Sequence, residues 1–199
     1  MDQREEFLDL FRQHVTRPGA EKLLEWLDTT DFFRAPASTR FHCACEGGLL
    51  QHSLNVYHAL TDLFYEEGES MESYVICALL HDLCKANYYK AGTRNVKNET
   101  TGQWEKVPSY SVEDLFPYGH GEKSVFLIER FMKLKVEEAV AIRWHMGGFD
   151  DAARGGCSSS TTSSCCATWA PASPSTTCFA PSATSSAWSA GSASWSSTT

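Results

Sequence analysis

Five side chains of metal-binding type stand within or beside apolar segments of the chain. His81 and Asp82 follow the apolar run ICALL, and His145 follows the segment VEEAVAIRW. His52 lies inside the apolar segment GGLLQHSL, and His120 opens the segment HGEKSVFLIERFMK. A buried carboxylate is costly unless it is paired with another charge or binds a metal. Because imidazole nitrogen and carboxylate oxygen suit Zn, Mn, Fe and Ni, we expect these five residues to converge on one or two divalent ions.

Simpler explanations exist for the individual residues. In an isolated His-Asp dipeptide, Asp82 would pair locally and His81 would hydrogen-bond to the backbone. Lys85, one turn after His81, either contacts a substrate phosphate or is a solvated lysine that interacts favourably with the helix dipole. His42, in RFHCA, either lines the site or is an ordinary loop histidine. His58, six residues after His52, is expected on the opposite, exposed face of its helix.

The elements that would position these residues are mostly helices. Apolar residues at helical spacing predict helices over 3–14, 18–29, 47–68, 71–85, 120–133 and 136–146. Residues 88–111 contain two alternating stretches around 98–102, which predicts a β-hairpin. The sequence therefore predicts an all-α helical bundle with one β-hairpin insertion.

The ordered set of His52, His81-Asp82, His120 and His145 resembles the HD superfamily of metal-dependent phosphohydrolases. HDLCK is similar to the HD-x-x-K form, and GGLLQHSL resembles the first-histidine helix of HD-domain 3′–5′ exoribonucleases and prophage-type HD hydrolases. The resemblance runs from about Phe41 to Asp151 and implies the HD-domain helical bundle. It implies that His52, His81 and Asp82 hold one metal ion. It also implies that His120 and His145 hold a second ion, with Asp82 bridging the two; Mg is a further candidate metal.

The activity implied by this resemblance is hydrolysis of a phosphate mono- or diester. Asp82 and Lys85 are the expected catalytic residues, and Lys85 and His42 the expected substrate contacts. Candidate substrates are a nucleotide, a cyclic nucleotide or a nucleic-acid 3′ end. The formal net charge of −8 argues against a broad basic face and favours a small ester over a long polyanion. Two alternatives stay open, namely a non-catalytic metal- or nucleotide-binding remnant and a structural domain with core histidines.

The last 45 residues, Gly155 to Thr199, have a different composition from the rest. They contain 15 Ser, 8 Thr and 8 Ala, with no charged residue, no His and no Leu, Ile or Val, so they cannot build a core. An O-glycosylated stalk, a flexible linker and translation of a shifted reading frame all compete as explanations. The three Trp and four Cys, and an N-terminus unlike a secretory signal, favour the frame shift. We therefore expect a phosphohydrolase domain over 1–154, truncated on its C-terminal side, and an unstructured or out-of-frame tail over 155–199.

This tail bears on the predicted metal site. The resemblance implies a late Asp, some tens of residues after the last histidine, as a further ligand of the first ion. Asp150 and Asp151 are the only acidic residues after His145, so activity is expected to be impaired. The cysteines before the tail are expected to be free thiols of a cytoplasmic protein. No run approaches the roughly 18 apolar residues of a membrane span, and the oligomeric state is left open.

Overall fold

A computed structural model describes residues 2–97 and 102–147 of the chain. These residues form six α-helices and a two-stranded antiparallel hairpin, so the all-α prediction is right only in outline. The helices are α1 (Gln3–His14), α2 (Ala20–Asp28), α3 (Gly48–Phe64), α4 (Met71–Leu80), α5 (His120–Glu129) and α6 (Val136–Arg143). The strands are β1 (Tyr89–Lys97) and β2 (Trp104–Val112). The predicted disordered tail, the boundary at 154 and both Asp150 and Asp151 lie outside the described residues.

Helix α4 is the central element of the core. All six residues from Val75 to Leu80 are buried, and the helix packs against α1, α3 and α6. A helix that is apolar on every side is stable only when it is surrounded by other elements. His81 and Asp82 directly follow a helix that lies in the middle of the core. This position explains why the side chains of both residues are buried.

The predicted continuous helix over 71–85 is wrong, because α4 ends at Leu80. His81 closes the helix, Asp82 leaves helical geometry at φ −100° and ψ 21°, and a 3-10 turn follows over Leu83–Lys85. The apolar pattern runs on through Leu83, so it gives no sign of the break. Side chains three residues apart lie above one another in a 3-10 turn, and this geometry carries Lys85 over Asp82.

Other helix boundaries also differ from prediction, and α5 and α6 end at Glu129 and Arg143, before the predicted 133 and 146. The second helix begins at Ala20 instead of Pro18, because Gly19 takes a left-handed conformation at φ 95°. Helix α3 ends at Phe64 instead of Gly68, because Tyr65 is extended. Leu63, in the last turn of α3, is 72% exposed.

The β-hairpin lies where the alternating pattern predicts it. Its strands pair from Tyr89 opposite Val112 to Lys97 opposite Trp104. Most residues of both strands are exposed, so the hairpin contributes little to the core.

Helices α5 and α6 approach closely at Gly121. A Cβ atom on Gly121 would collide with the carbonyl group of Arg143, so only glycine permits this contact. His120 begins α5 and His145 follows α6, so the close approach brings the two histidines together. Within the described residues, no helix has the length and apolar character to cross a membrane.

Candidate metal centre

Asp82 lies at the centre of a cluster of imidazoles and is 2% exposed. Its Oδ2 lies 3.4 Å from His52 Nε2 and 3.3 Å from His81 Nε2. Its Oδ1 lies 2.8 Å from His120 Nε2 and 3.4 Å from His145 Nε2. The structure therefore brings together all five residues that the sequence nominates as ligands, two histidines on each carboxylate oxygen.

Four separate segments supply these side chains. His52 comes from the inner face of α3, His81 and Asp82 from the end of α4, His120 from the start of α5, and His145 from the turn after α6. His81 Nδ1 lies 2.9 Å from the carbonyl oxygen of Ala78, and His145 Nδ1 lies 2.7 Å from that of Ile142. Both carbonyls belong to the last turn of a helix, where they lack a partner within the helix.

These two bonds assign the tautomers of His81 and His145. A carbonyl oxygen only accepts, so each Nδ1 donates its N–H, and in the neutral ring each Nε2 then carries a lone pair. In both residues that lone-pair nitrogen is the one next to Asp82. Ligating histidines are commonly fixed in this way, by a backbone carbonyl on the second ring nitrogen. Lone pairs beside a carboxylate are an arrangement that a cation stabilises.

The spacing of the donor atoms also suits a metal ion. His52 Nε2 and His81 Nε2 are 3.0 Å apart, and both lie 3.3–3.4 Å from Asp82 Oδ2. Bonds of about 2.0–2.2 Å to a common ion place neighbouring ligands about 2.8–3.6 Å apart in octahedral to tetrahedral geometry. His52, His81 and Asp82 thus form one group that could hold an ion.

The charge states suit metal binding as well. Burial by itself would raise the pKa of Asp82, but Lys85 and His81 hold that pKa well below its usual value. Burial lowers the pKa of His81 to about 4, although the neighbouring carboxylate acts in the opposite direction. At neutral pH the cluster therefore offers an ionised carboxylate and a neutral imidazole, the forms that bind metals.

Lys85 is part of this cluster. Its side chain is 11% exposed, and its Nζ donates to Asp82 Oδ2 at 2.6 Å. The interpretation of Lys85 as a solvated helix-end lysine is therefore wrong. The simple view of an isolated His-Asp dipeptide is correct in its contacts, since His81 bonds to the backbone and Asp82 pairs locally. It does not account for three further imidazoles on the same carboxylate.

His42 and His58 differ in their position relative to His52 and the cluster around Asp82. His42 is exposed, and its ring centroid lies 4.9 Å from that of His52. His58 is also exposed, on the other side of α3, and its Nε2 lies 2.7 Å from Glu6 Oε1. Of the two, only His42 is beside the cluster, at its solvent side.

Cys84 is the residue that sequence reasoning missed. Its Sγ lies 3.3 Å from His120 Nδ1, and its backbone N–H donates to Ser124 Oγ at 3.0 Å. Burial raises the pKa of the Cys84 thiol to about 12. Asp82, Cys84 and His120 form a second group of side chains that could hold an ion. The only sequence signal was the position of Cys84 within the HDLCK motif.

The HD domain family matches residues 49–170 of the chain. The chain belongs to the HD domain family. The matched range contains all five residues of the cluster, and the match confirms the resemblance to the HD superfamily. Comparison with curated proteins and with solved structures found no match. Membership implies a metal-dependent hydrolase type of fold, and the donor set around Asp82 fits that type.

Proposed function

We propose that this HD domain is a phosphohydrolase that uses one or two divalent ions to hydrolyse a phosphate mono- or diester such as a nucleotide. The observation that carries the proposal is the position of Asp82, with two imidazole nitrogens near each of its carboxylate oxygens. Mn, Fe, Ni, Zn and Mg are the candidate metals. Few structural roles other than ion binding require four imidazoles around one buried carboxylate.

Each residue has a role in this proposal. His52, His81 and Asp82 would hold the first ion, and Asp82, His120 and His145 would hold the second. Bound there, divalent ions supply Lewis-acid polarisation of a phosphoryl oxygen and a water of lowered pKa. The ammonium group of Lys85 offsets negative charge that develops on the phosphoryl group. His42, at the solvent side of His52, contacts the substrate.

A specific observation supports a second candidate, a non-catalytic remnant that binds metal or nucleotide. The matched family range continues to residue 170, yet no Asp or Glu follows Asp151. The resemblance implies a late carboxylate on the first ion. A chain without that ligand would bind ions less tightly and hold its water less firmly.

A paired measurement separates these possibilities. Mn²⁺ binding is measured by calorimetry, and hydrolysis of bis-p-nitrophenyl phosphate is followed with Mn²⁺ present. We expect the native chain to bind Mn²⁺ and to hydrolyse the ester slowly, since the late carboxylate is missing. His81→Ala should lose at least the roughly 10- to 100-fold in Mn²⁺ affinity that follows from removing a residue that only supports a ligand. His58→Ala, an exposed histidine on the same helix as His52, is the matched control and should behave as the native chain.

The outcomes are distinct. Binding and turnover that both disappear in His81→Ala support the phosphohydrolase. Binding without turnover supports the remnant. If the native chain binds no Mn²⁺, Zn²⁺ or Ni²⁺, the histidines are structural and the proposal is wrong.

A further inference from the structure

A cleft of about 310 Å³ opens beside the metal centre, between the segment before β1 and the start of α5. His120 belongs to both features, since its ring lines the cleft and its Nε2 lies 2.8 Å from Asp82 Oδ1. A molecule whose phosphate reaches the cluster would therefore place its remaining atoms in this cleft. The volume is at the low end of the range of about 300–1,000 Å³ for small-molecule pockets, which suits one nucleotide unit.

The charges of the cleft argue against a second phosphate site. Lys123 is the lysine that lines it, and its Nζ donates to Asp114 Oδ1 at 2.7 Å. The same ammonium lies 5.1 Å from the ring centroid of Tyr88 and 5.8 Å from that of Phe116. A carboxylate and two aromatic rings thus already neutralise the lysine. The cleft is suited to an uncharged group rather than to an anion.

Two aromatic side chains, Tyr88 and Tyr118, line the cleft, and the cluster of rings around Tyr118 favours a planar ligand. Phe116 and Tyr118 stack with centroids 5.5 Å apart and planes 19° from parallel, and Phe126 packs against both. All three rings are between 41% and 49% exposed. A nucleobase can stack on aromatic rings that are half exposed to solvent in this way.

Asp114 adds a hydrogen-bonding group. The backbone N–H of Phe116 and the ammonium of Lys123 both donate to its Oδ1, at 3.0 and 2.7 Å. Its other oxygen, Oδ2, can therefore accept from an N–H of a bound ring. Resting on the proposed function, we propose that this cleft binds the nucleobase of a mononucleotide while the metal centre receives its phosphate.

The test compares ligands with and without a base. Calorimetry with the Mn²⁺-loaded full chain measures binding of the four common ribonucleoside 5′-monophosphates, their nucleosides and ribose 5-phosphate. We expect at least one nucleotide to bind about 5- to 100-fold more tightly than ribose 5-phosphate, the gain available from stacking on one aromatic side chain. The corresponding nucleoside, which has no phosphate, should also bind, with or without Mn²⁺.

Variants of Tyr118 locate the interaction. Tyr118→Leu should remove most of the preference for the nucleotide over ribose 5-phosphate and leave Mn²⁺ affinity unchanged. Tyr118→Phe, which keeps the ring, should retain the preference. Tyr65→Leu removes an exposed aromatic ring that does not line the cleft and should also retain it.

Failure of this inference can be told apart from failure of the proposed function. Nucleoside binding that depends on Tyr118 without any hydrolysis supports the cleft and overturns the enzyme. Hydrolysis with equal affinity for nucleotide and ribose 5-phosphate, or with no effect of Tyr118→Leu, overturns the cleft and keeps the enzyme. Tighter binding of a short single-stranded oligonucleotide than of any mononucleotide would also overturn the assignment, in favour of a nucleic-acid end.

Discussion

His81, His120 and His145 share one arrangement, in which Nε2 is directed at Asp82 and Nδ1 contacts a second group. For His81 and His145 that group is a backbone carbonyl, which no substitution removes. For His120 it is the side chain of Cys84, with Sγ 3.3 Å from Nδ1. A thiol can donate to an unprotonated nitrogen or accept from a protonated one, so Cys84 can support His120 in either tautomer. Of the three groups that contact a histidine Nδ1, the Cys84 thiol is therefore the one that a substitution can remove.

Replacing Cys84 should weaken one of two ions selectively. Cys84→Ala removes the contact with Nδ1, and we expect affinity at the Asp82–His120–His145 site to fall about 10- to 100-fold. Cys84→Ser keeps a donor and acceptor and should lose less. Calorimetric titration with Mn²⁺ would show the change in the second binding step alone.

The control for this prediction is Cys77→Ala, which replaces another buried cysteine, within α4. An equal effect of Cys84→Ala on both binding steps, or on neither, would show that the thiol does not position His120.

The role proposed for Cys84 could not be predicted from the sequence. Cysteine is among the most commonly buried residue types, so a cysteine beside a motif does not stand out as the four histidines and the aspartate do.

At the scale of elements, a largely buried polar network connects the segment between α1 and α2 to α4 and α6. The guanidinium group of Arg17 donates to both oxygens of Glu138, each at 2.6 Å, and to Glu72 at 3.1 Å. Ser73 on α4 also donates to Glu138, at 2.7 Å. The network joins the helix that precedes His145 to the helix that precedes His81. It thus helps to set the distance between two sides of the metal centre.

Removing the charge of Glu138 should reduce stability in a pH-dependent way. Burial would raise the pKa of Glu138, but the bonds from Arg17 and neighbouring groups lower it below its ordinary value of 4.5. A lowered folded-state pKa gives stability that is present above 4.5 and is lost as pH falls through the folded value. We expect Glu138→Gln to cost about 2–3 kcal/mol at pH 7, since it removes the closer of the two carboxylates that pair with Arg17 and leaves only Glu72. Urea unfolding from pH 7 down to pH 3 measures the difference.

That difference should shrink as the pH falls through the lowered folded-state pKa of Glu138, because the native side chain then becomes protonated as well. Asp28→Asn is the matched control. It breaks the Arg4–Asp28 pair, whose side chains are about half exposed, and should cost less than about 1 kcal/mol. A Glu138→Gln effect that stays constant with pH would contradict the role given to the carboxylate charge.

The order of the elements could be predicted from the sequence, but some of their ends and contacts could not. All six helices and the hairpin were expected in the right order, because their apolar periods are regular. The break after Leu80 was not expected, since Leu83 continues the apolar pattern. The close contact at Gly121 could not be predicted either, because a glycine inside a helical pattern does not indicate which backbone segment packs against it.

At the scale of the whole molecule, the metal centre assembles only when four segments fold together. The ligand types and their order along the chain were enough to predict that they meet, because each stands where an apolar segment would otherwise bury an unpaired polar group. The distribution of partners over the two oxygens of Asp82 was implied only by the family resemblance. The distances that suit an ion required the structure, since they depend on how α3, α4, α5 and α6 pack.

The charge-free segment gives the last prediction. Residues 155–170 belong to the range matched by the HD domain family, yet they contain no Asp or Glu. If a shifted reading frame is the cause, the DNA around the codon for Gly156 should encode an aliphatic and charged segment with an Asp in another frame. A version of the protein with that frame restored should hydrolyse bis-p-nitrophenyl phosphate with Mn²⁺. The present chain should do so poorly, because the first ion lacks one anionic ligand and its water is less well placed.

Both versions are assayed side by side across a Mn²⁺ titration, with His81→Ala in each as the blank. The restored version should reach half-maximal activity at a lower Mn²⁺ concentration, since an added carboxylate strengthens binding at the site of His52, His81 and Asp82. A difference in maximal rate without a difference in Mn²⁺ requirement would instead assign the late residue to the reaction rather than to ion binding. Equal metal-dependent turnover by the two versions would show that the late carboxylate is dispensable or replaced. Asp150 and Asp151, the last acidic residues of the present chain, would then be the next to substitute.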